Sequence, residues 1–303
     1  MHVTLRQLEI FGAVARSGST TAAALHVALS QSATSAALNE LERALGAPLF
    51  DRVGKRLQLN DNGRALLPSV LAVLDGARQI ESSFASPDQP PSDLKLFAST
   101  TIGNHVLPTL LAGFHRLIPS LRLNLRIGNT SEVIAAVRDF DTDLGLIEGP
   151  SHDPDLAVLP WTEDELVIAA APHHPLSEAS ARAPLTTEQL AAADWLQRER
   201  GSGTREAMEQ ALLPHVLHLR STLTLGSSEA IKNSAAEGLG LCCLSQCVVQ
   251  DLVQAGRLRI LSTRLPRLTR RFTLVHHQKK VLSVPLQRFI ALCRDTPASR
   301  SGR

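Results

Sequence analysis

Apolar residues in the first forty-five positions recur at intervals of three and four, the period of a helix with one buried face. Leu5, Leu8, Phe11 and Ala15 form one such stripe. It stops at Ser17-Gly18, and Ser19 can cap a short second helix over about 20–27. Ser30 can cap a longer third helix, with Ala33, Ala37, Leu41 and Leu45 in line and Gly46 as its terminator. Two short β-like runs, 49–53 and 56–59, flank a Gly-Lys pair and predict a hairpin. From Asn60 the interval alternates between four and three through Leu66, Val70, Val73, Ala77, Ile80 and Phe84. That is a coiled-coil seam of nearly three heptads, with Asn60 or Asp61 as cap and Pro68 expected to bend its first turn. A Pro-rich break, SPDQPPSD (86–93), follows. A helix bridging two modules has nowhere in its own chain to hide such a seam, so the six seam residues predict a dimer contact.

Beyond Asp93 strands and helices alternate. LKLFAS (94–99), RLNLRI (122–127), LGLIEG (144–149) and ELVIAAAP (165–172) read as strands, with helices over about 103–117 and 131–140. The alternation continues to about Leu261. A β-α-β-α-β order predicts parallel sheets covered by helices. Two such halves place a crevice at the carboxyl ends of their strands.

Composition removes several functions. The chain has 303 residues, 44% hydrophobic and 20% charged, which suits about two domains with real cores. With 31 Lys+Arg against 29 Asp+Glu, the net charge of +2 excludes coating of nucleic acid by bulk charge but leaves a local basic patch open. Aromatics are 3%, with no Tyr, which disfavours a stacking-based single-strand binder. No apolar run approaches the roughly 18 residues of a membrane span, so no membrane partner is expected. The N-terminal stretch lacks the regions of a secretory signal. A periplasmic solute receptor is therefore set aside. Cys242, Cys243, Cys247 and Cys293 fit reduced thiols in the cytoplasm better than a disulfide framework.

Enzyme signatures fail one by one. There is no GxxxxGK[ST], no HExxH and no GxGxxG after the first strand. Gly201-Ser202-Gly203 lacks the flanking glycine of a nucleophile elbow. Cys242, Cys243 and Cys247 follow a Gly-Leu-Gly-Leu run that reads as a buried strand, which favours core packing over a metal or redox site. His215 and His218 fit one helix face, but no third ligand is spaced to join them. His173-His174 and His276-His277 fall in loops or at strand ends. No catalytic residue, metal or cofactor is expected.

The specific signal is the helix pair whose second member opens Ser30-Gln31-Ser32-Ala33-Thr34-Ser35. A tight turn and small polar residues in the first turns let that helix enter a major groove. Gln bonds adenine bidentately, and Ser or Thr bond base edges or phosphates. Gln31, Ser32 and Ser35 are thus expected at base edges, and Thr21, Arg52, Lys55 and Arg56 at phosphates or the minor groove beside the hairpin. Ser30, Thr34 and Asn39 complete the expected DNA-binding set. The competing reading is a two-lobed α/β small-molecule-binding protein or enzyme whose N-terminal helices only dimerise.

The stretch GSTTAAALHVALSQSATSAALNELERALGAPLFDR (18–52) resembles the winged helix-turn-helix of the LysR-type transcriptional regulators. Gly18-Ser19, Ala23-Ala24, Ser30-Gln31, Leu41-Glu42, Leu45-Gly46 and Leu49-Phe50-Asp51-Arg52 fall at the family's spacing. GKRLQLNDNGRALL (54–67) is similar to the family's wing and linker start, and the remainder resembles its effector-binding module. Thr20, Ser32 and Ala36 stand where the family often has Phe, Pro and a basic residue, which changes the sites read rather than the fold. GKRLQLN, STTIGNHVLP and ERGSGTRE resemble the branch with sulfur-metabolism and carbon-fixation regulators.

The resemblance implies an α/β multidomain fold. A winged helix-turn-helix would occupy 1–60, and a linker and dimerisation helix with hinge 61–92. A periplasmic-binding-protein-like effector domain would take 93–303, as Rossmann-like subdomains of 93–163 with 267–303 and of 164–266 joined by crossing strands. It implies a non-enzymatic regulator whose grip on double-stranded operator DNA is modulated by a small, anionic effector. Partners would be further copies of itself, as dimer or tetramer, and RNA polymerase. Three polar loops would then converge on the effector: Ser99-Thr100-Thr101, Asn129-Thr130, and Ser202-Gly203-Thr204-Arg205, with Arg205 available to an anion. Ordinary helix capping is the alternative at each loop.

Overall fold

The computed structural model describes residues 3–54, 56–83, 93–216 and 218–295. They divide into two compact units. The first is the chain up to Ser92 with the short stretches Arg138–Phe140 and Gln278–Val281, and the second is the rest.

In the first unit, α1 (Leu5–Ser17) starts on a capping box in which Thr4 and Gln7 satisfy each other's backbone N–H groups. It ends at Gly18, whose φ of 65° is the left-handed conformation that glycine adopts without a Cβ penalty. Ser19 caps α2 (Thr20–His26), and Ser30 caps α3 (Gln31–Leu45). Strands β1 (Phe50–Val53) and β2 (Arg56–Leu59) pair antiparallel as a wing. Helix α4 (Asp61–Ser83) then runs through Pro68. Phe11, Val14, Leu38, Leu41 and Leu49 form the core with Val70 of α4.

One apolar stripe is broader than expected and one is displaced. In α1 Phe11 is buried with Leu8 and Ala15 packed beside it as expected, Ile10 and Val14 join the interior, and Leu5 is exposed. In α3 the buried residues are Thr34, Leu38 and Leu41, while Ala33 and Leu45 lie outside. Spacing of three and four admits neighbouring faces, and the elements packed against the helix decide between them. The seam is also corrected. Leu66 packs against the winged-helix core and Val70 is 2% exposed within it, so the first part of the seam is buried in its own chain. Ala77 is half-buried, whereas Val73 and Ile80 are 48% and 65% exposed. Phe84 lies outside the described residues.

The second unit contains, in chain order, β3 (Leu94–Ser99), a π-helical turn (Ile102–Val106), α5 (Leu107–Leu117), β4 (Leu123–Gly128), α6 (Thr130–Arg138) and β5 (Leu144–Glu148). Next come β6 (Leu156–Ala170), α7 (Pro175–Arg182), α8 (Thr187–Ala192), β7 (Asp194–Arg198) and α9 (Gly203–Leu212). After these follow β8 (Arg220–Leu225), α10 (Ser228–Ala236), β9 (Leu241–Ser245), α11 (Gln246–Gln254), β10 (Arg259–Ile260), β11 (Leu268–His277) and α12 (Val284–Asp295). One nine-stranded sheet results, ordered β4-β3-β5-β11-β6-β9-β7-β8, with β10 beside β6.

Strands β4-β3-β5 and β9-β7-β8 are parallel, as the β-α alternation predicts. Between them β6 and β11 run antiparallel and join the halves. Side chains alternate across the sheet. Leu96, Leu146 and Leu274 pack on α5 and α12, and Phe97, Ile147 and Val275 pack on α6. In the other half Trp195 and Ile168 meet α9, and Leu196 and Ala169 meet α10.

The strand expected at 165–172 is only the buried end of β6. Its earlier part is an apolar run, 156–161, broken by Pro160 and followed by the polar run 162–165, and it has no period of two to announce a strand. Pairing with β11 makes it a strand, with a register shift where Phe272 faces Thr162 and Thr273 faces Pro160. The helix expected from about Gly103 begins instead with the π-helical turn.

Candidate functional site

On the first unit, Gln31, Ser32 and Asn39 are exposed and Ser35 is half-buried. Positions 31, 35 and 39 follow one line along α3, beside the buried line of Thr34, Leu38 and Leu41. Gln31 Nε2 donates to Thr20 Oγ1 at 3.1 Å, and the Ser30 hydroxyl accepts from the Ala33 backbone at 3.2 Å, which fixes the start of the helix. Thr21, Arg52 and Arg56 are exposed. Lys55 lies outside the described residues. Thr34 is the correction in this set. It is fully buried and its hydroxyl donates to the Ser30 carbonyl at 3.0 Å, so it holds the turn and has no outward surface.

On the second unit, the three expected polar loops meet. The Gly203 backbone N–H donates to Thr130 Oγ1 at 3.2 Å, and the Ser131 N–H to the Gly201 carbonyl at 3.1 Å. Only glycine fits at 203, because a Cβ there would stand 2.2 Å from the Glu148 carbonyl oxygen. Asn129 caps α6 reciprocally with Glu132.

The centre is a buried ionic cluster. Arg270 Nη1 donates to Glu148 Oε2 at 2.7 Å and to Thr204 Oγ1 at 3.0 Å, Nη2 to Thr101 Oγ1 at 3.3 Å, and Nε to Asp164 Oδ2 at 2.7 Å. Glu148 also accepts from the Thr101 backbone at 2.9 Å and from the Thr204 hydroxyl. The Ser245 hydroxyl donates to Asp164 at 2.6 Å. Burial opposes charge on all of these groups. At Glu148, Arg270 and the threonine donors outweigh it and hold the carboxyl below its usual range. At Asp164 burial wins and the carboxyl is pushed up.

A second buried guanidinium closes another side. Arg198 donates to the Ser228 hydroxyl at 2.8 Å and to Thr100 Oγ1 at 3.3 Å, and its fork holds Glu199. Beside it His105, on the π-helical turn, meets Glu229 at 3.2 Å. Ser99 differs from all of these, being 1% exposed with a hydroxyl that has no hydrogen-bond partner.

One expectation fails here. Arg205 is not available to an anion, because its Nε is bound to Glu209 at 2.8 Å and its Nη1 to the Arg198 carbonyl. The i, i+4 spacing on α9 makes that pairing local.

Sequence reasoning missed Arg198, Glu148, Asp164 and Arg270. Glu148 ends an otherwise apolar strand, which is a visible oddity. Its partner lies 122 residues away, and no local pattern announces it.

His215 and His218 follow the end of α9 and share no helix face. Cys242 and Cys243 are buried on β9, where burial pushes both thiols up to about 12. Cys247 is pushed up to about 11 for the same reason. Among the described residues, no three His, Cys, Asp or Glu side chains are grouped to hold a metal ion, and no helix is long and apolar enough to cross a membrane.

Comparison with known proteins finds a match for each part of the chain. Residues 5–64 match the family described as bacterial regulatory helix-turn-helix protein, lysR family, and residues 87–298 match the LysR substrate binding domain. The chain is 50% identical over 293 residues to the uncharacterized HTH-type transcriptional regulator YeiE of Escherichia coli (strain K12), covering 97% of this chain and 98% of that protein. It is 32% identical over 284 residues to the RuBisCO operon transcriptional regulator of Allochromatium vinosum, covering 93% of each. Full-length OxyR from Pseudomonas aeruginosa superposes with a TM-score of 0.73 at 24% identity, covering 97% of this chain and 94% of that one. The regulatory domain of Synechocystis PCC6803 CcmR in complex with 2-PG superposes with a TM-score of 0.61 at 29% identity, covering 69% and 98%. A DNA-binding helix-turn-helix followed by an effector-binding α/β domain, matched over nearly the whole chain, makes this protein a member of the LysR family of transcriptional regulators.

Proposed function

We propose that Gln31, Ser32 and Ser35 read base edges in the operator, with Thr21, Ser30 and Asn39 beside them. Arg52, Lys55 and Arg56 hold the phosphates. The exposure of Gln31, Ser32 and Asn39 on α3, with Ser35 half-buried between them, supports this, since side chains that read a groove cannot also build the core. Gln31→Ala should relax preference at about one base position and cost on the order of 1–3 kcal/mol. Arg52→Ala should weaken all sequences alike and flatten the salt dependence. Gel shifts on operator and point-mutated operators at two salt concentrations measure both. Unchanged binding by both variants would remove α3 as the reader.

The effector is a compact anion held by Ser99, Thr100, Thr101, Asn129, Thr130, Ser202, Gly203 and Thr204. The carrying observation is the Ser99 hydroxyl, buried and unpartnered at the carboxyl end of β3. A buried hydroxyl without a partner costs about 1–3 kcal/mol, so a ligand that bonds it recovers that cost. Helices α6 and α9 begin at the same place, and helix N-termini favour negative charge. The nearby guanidiniums of Arg198, Arg205 and Arg270 already hold carboxylates. Hydroxyls and N–H groups must then hold the ligand, which suits a small anion better than a polyanion. The complex of the related CcmR domain with 2-PG supports a small ligand in this domain.

The effector is bound and released unchanged, in the cytoplasm. Glu148 and Asp164 are committed to Arg270, and the Cys242 and Cys243 thiols are pushed far from their reactive range. Binding that differs between two arrangements of the domain changes operator affinity by a coupling of about 1–3 kcal/mol.

Ser99→Ala tests the site with little risk to the fold, since no partner is lost. Calorimetry across a panel of organic and inorganic anions should give one ligand for wild type, bound about tenfold more weakly by the variant. The ligand-free variant should melt no lower than wild type, and higher by as much as the unpartnered hydroxyl now costs. Equal affinity in both proteins would move the effector elsewhere.

A further inference from the structure

A cavity of about 390 Å3 opens in the second unit beside the face of α9 that carries Gly203, Glu206, Gln210 and Ala211. Its other wall is made by Val158 and Pro160 of β6 and by Arg271 of β11. Ser99, Thr100, Thr101, Thr130 and Ser202 are not among its lining residues. Gly203 alone belongs to both, so the cavity adjoins the proposed anion site on the far side of the hydroxyl loops. The two still share a wall, because Glu148 and Arg270 border the cavity while bonding Thr101 and Thr204.

We propose that this cavity is a second ligand site, which takes a small zwitterion with an aliphatic body, an α-amino acid of leucine size being the simplest example. The volume falls within the roughly 300–1,000 Å3 usual for small-molecule sites. Val158 is 39% exposed, Pro160 is exposed and Ala211 is half-buried, so an aliphatic body would cover apolar surface that is now wet.

Charge selects the rest of the ligand. Glu148 and Glu206 border the cavity against Arg270 and Arg271, a lining of zero net charge. Glu148 and Arg270 are consumed by each other. Glu206 and Arg271 remain at the rim, both exposed. Among the described residues Glu206 accepts a 3.3 Å bond from Gln210 and no other, and Arg271 stands 3.4 Å from Glu163, long for a charge-assisted bond. A lone carboxylate would meet Arg271 but also Glu206, and a lone ammonium would meet the reverse. A molecule carrying both charges matches both side chains.

The test is calorimetric titration of the full chain with L-leucine, 4-methylpentanoate and 3-methylbutylamine. Leucine should bind saturably, and each singly charged analogue about tenfold more weakly or less. Ala211→Trp places an indole in the cavity from a half-buried position and should abolish leucine binding. Glu206→Gln is an exposed change of equal size that leaves the fold intact, and should weaken leucine about tenfold. No leucine binding by wild type overturns the proposal. So does leucine binding that survives both substitutions, or 4-methylpentanoate bound as tightly as leucine.

Discussion

Arg270→Leu should destabilise the effector-binding domain by about 3–5 kcal/mol, the usual result of removing one partner from a buried ion pair. For a domain of this size that lowers the melting temperature by roughly 6–20 °C. Glu148 and Asp164 side chains are 1% and 9% exposed, and Arg270 is the cation that holds both. Without it, two carboxylates face each other in a dry site. The remaining donors, Thr101, Thr204 and Ser245, do not cancel a charge. Adding Glu148→Gln to Arg270→Leu should recover part of the loss, because one uncompensated charge goes with it.

The pH dependence has a definite sign. In wild type Glu148 sits below its ordinary value of 4.5, so its contribution is present above that value and is lost as pH falls through the lower folded-state value. Asp164 has the opposite sign, opposing folding at neutral pH and ceasing to do so as it takes up a proton in acid. In Arg270→Leu both carboxyls follow the Asp164 pattern. The variant should therefore gain stability relative to wild type on acidification from neutral pH. Scanning calorimetry at several pH values checks this, and a melting temperature within 2 °C of wild type at neutral pH would show that the cluster does not hold the domain together.

Val73→Asp combined with Ile80→Asp should dissociate the protein and lower operator affinity by several orders of magnitude. Both side chains stand on the α4 surface, and burying an aspartate opposite its own copy leaves like charges without partners. The change should not unfold the monomer, because exposed positions carry little of the winged-helix core. Val70→Asp makes the contrast. That residue is 2% exposed in its own chain, so its replacement should unfold the winged helix itself. Two half-sites must be held about one helical turn apart for tight operator binding, and a monomer cannot do so. Sedimentation separates the outcomes: an unchanged oligomer in the double variant removes α4 from the subunit contact.

Much of this molecule is legible in its sequence because much of it is local. Ser19 and Ser30 cap the helices they precede, Gly18 and Gly46 end those they follow, and the parallel strands β3 and β5 are announced by short apolar runs, whereas β7 (DWLQR) and β8 (RSTLTL) are not. What is not local was not readable. The 156–164 part of β6 became a strand only through β11, more than a hundred residues later. Thr34 looks like a reader by type and position, yet a one-residue offset of the buried face turns it inward. Arg205 looks like a free cation until Glu209, four residues on, takes it. The hydroxyl loops were found because strand-end threonines before helices are a local sign. The arginines between them were not, since their partners come from distant segments.

The two antiparallel strands between the halves also bear on how the chain is made. Strand β5 pairs with β11, and Arg270 meets Glu148 across 122 residues of chain. A ribosome adding about 5–20 residues per second takes roughly 6–25 s to cover that distance. Throughout this interval β5 has β3 on one side and an open edge on the other, with the Glu148 carboxylate at its end lacking its guanidinium. Open apolar edges recruit other strands. The second half of the domain is thus an insertion that must be built while the first half waits unfinished. A nascent chain stalled before Leu268 should hold a folded winged helix beside an incomplete sheet, a substrate for chaperones rather than a regulator.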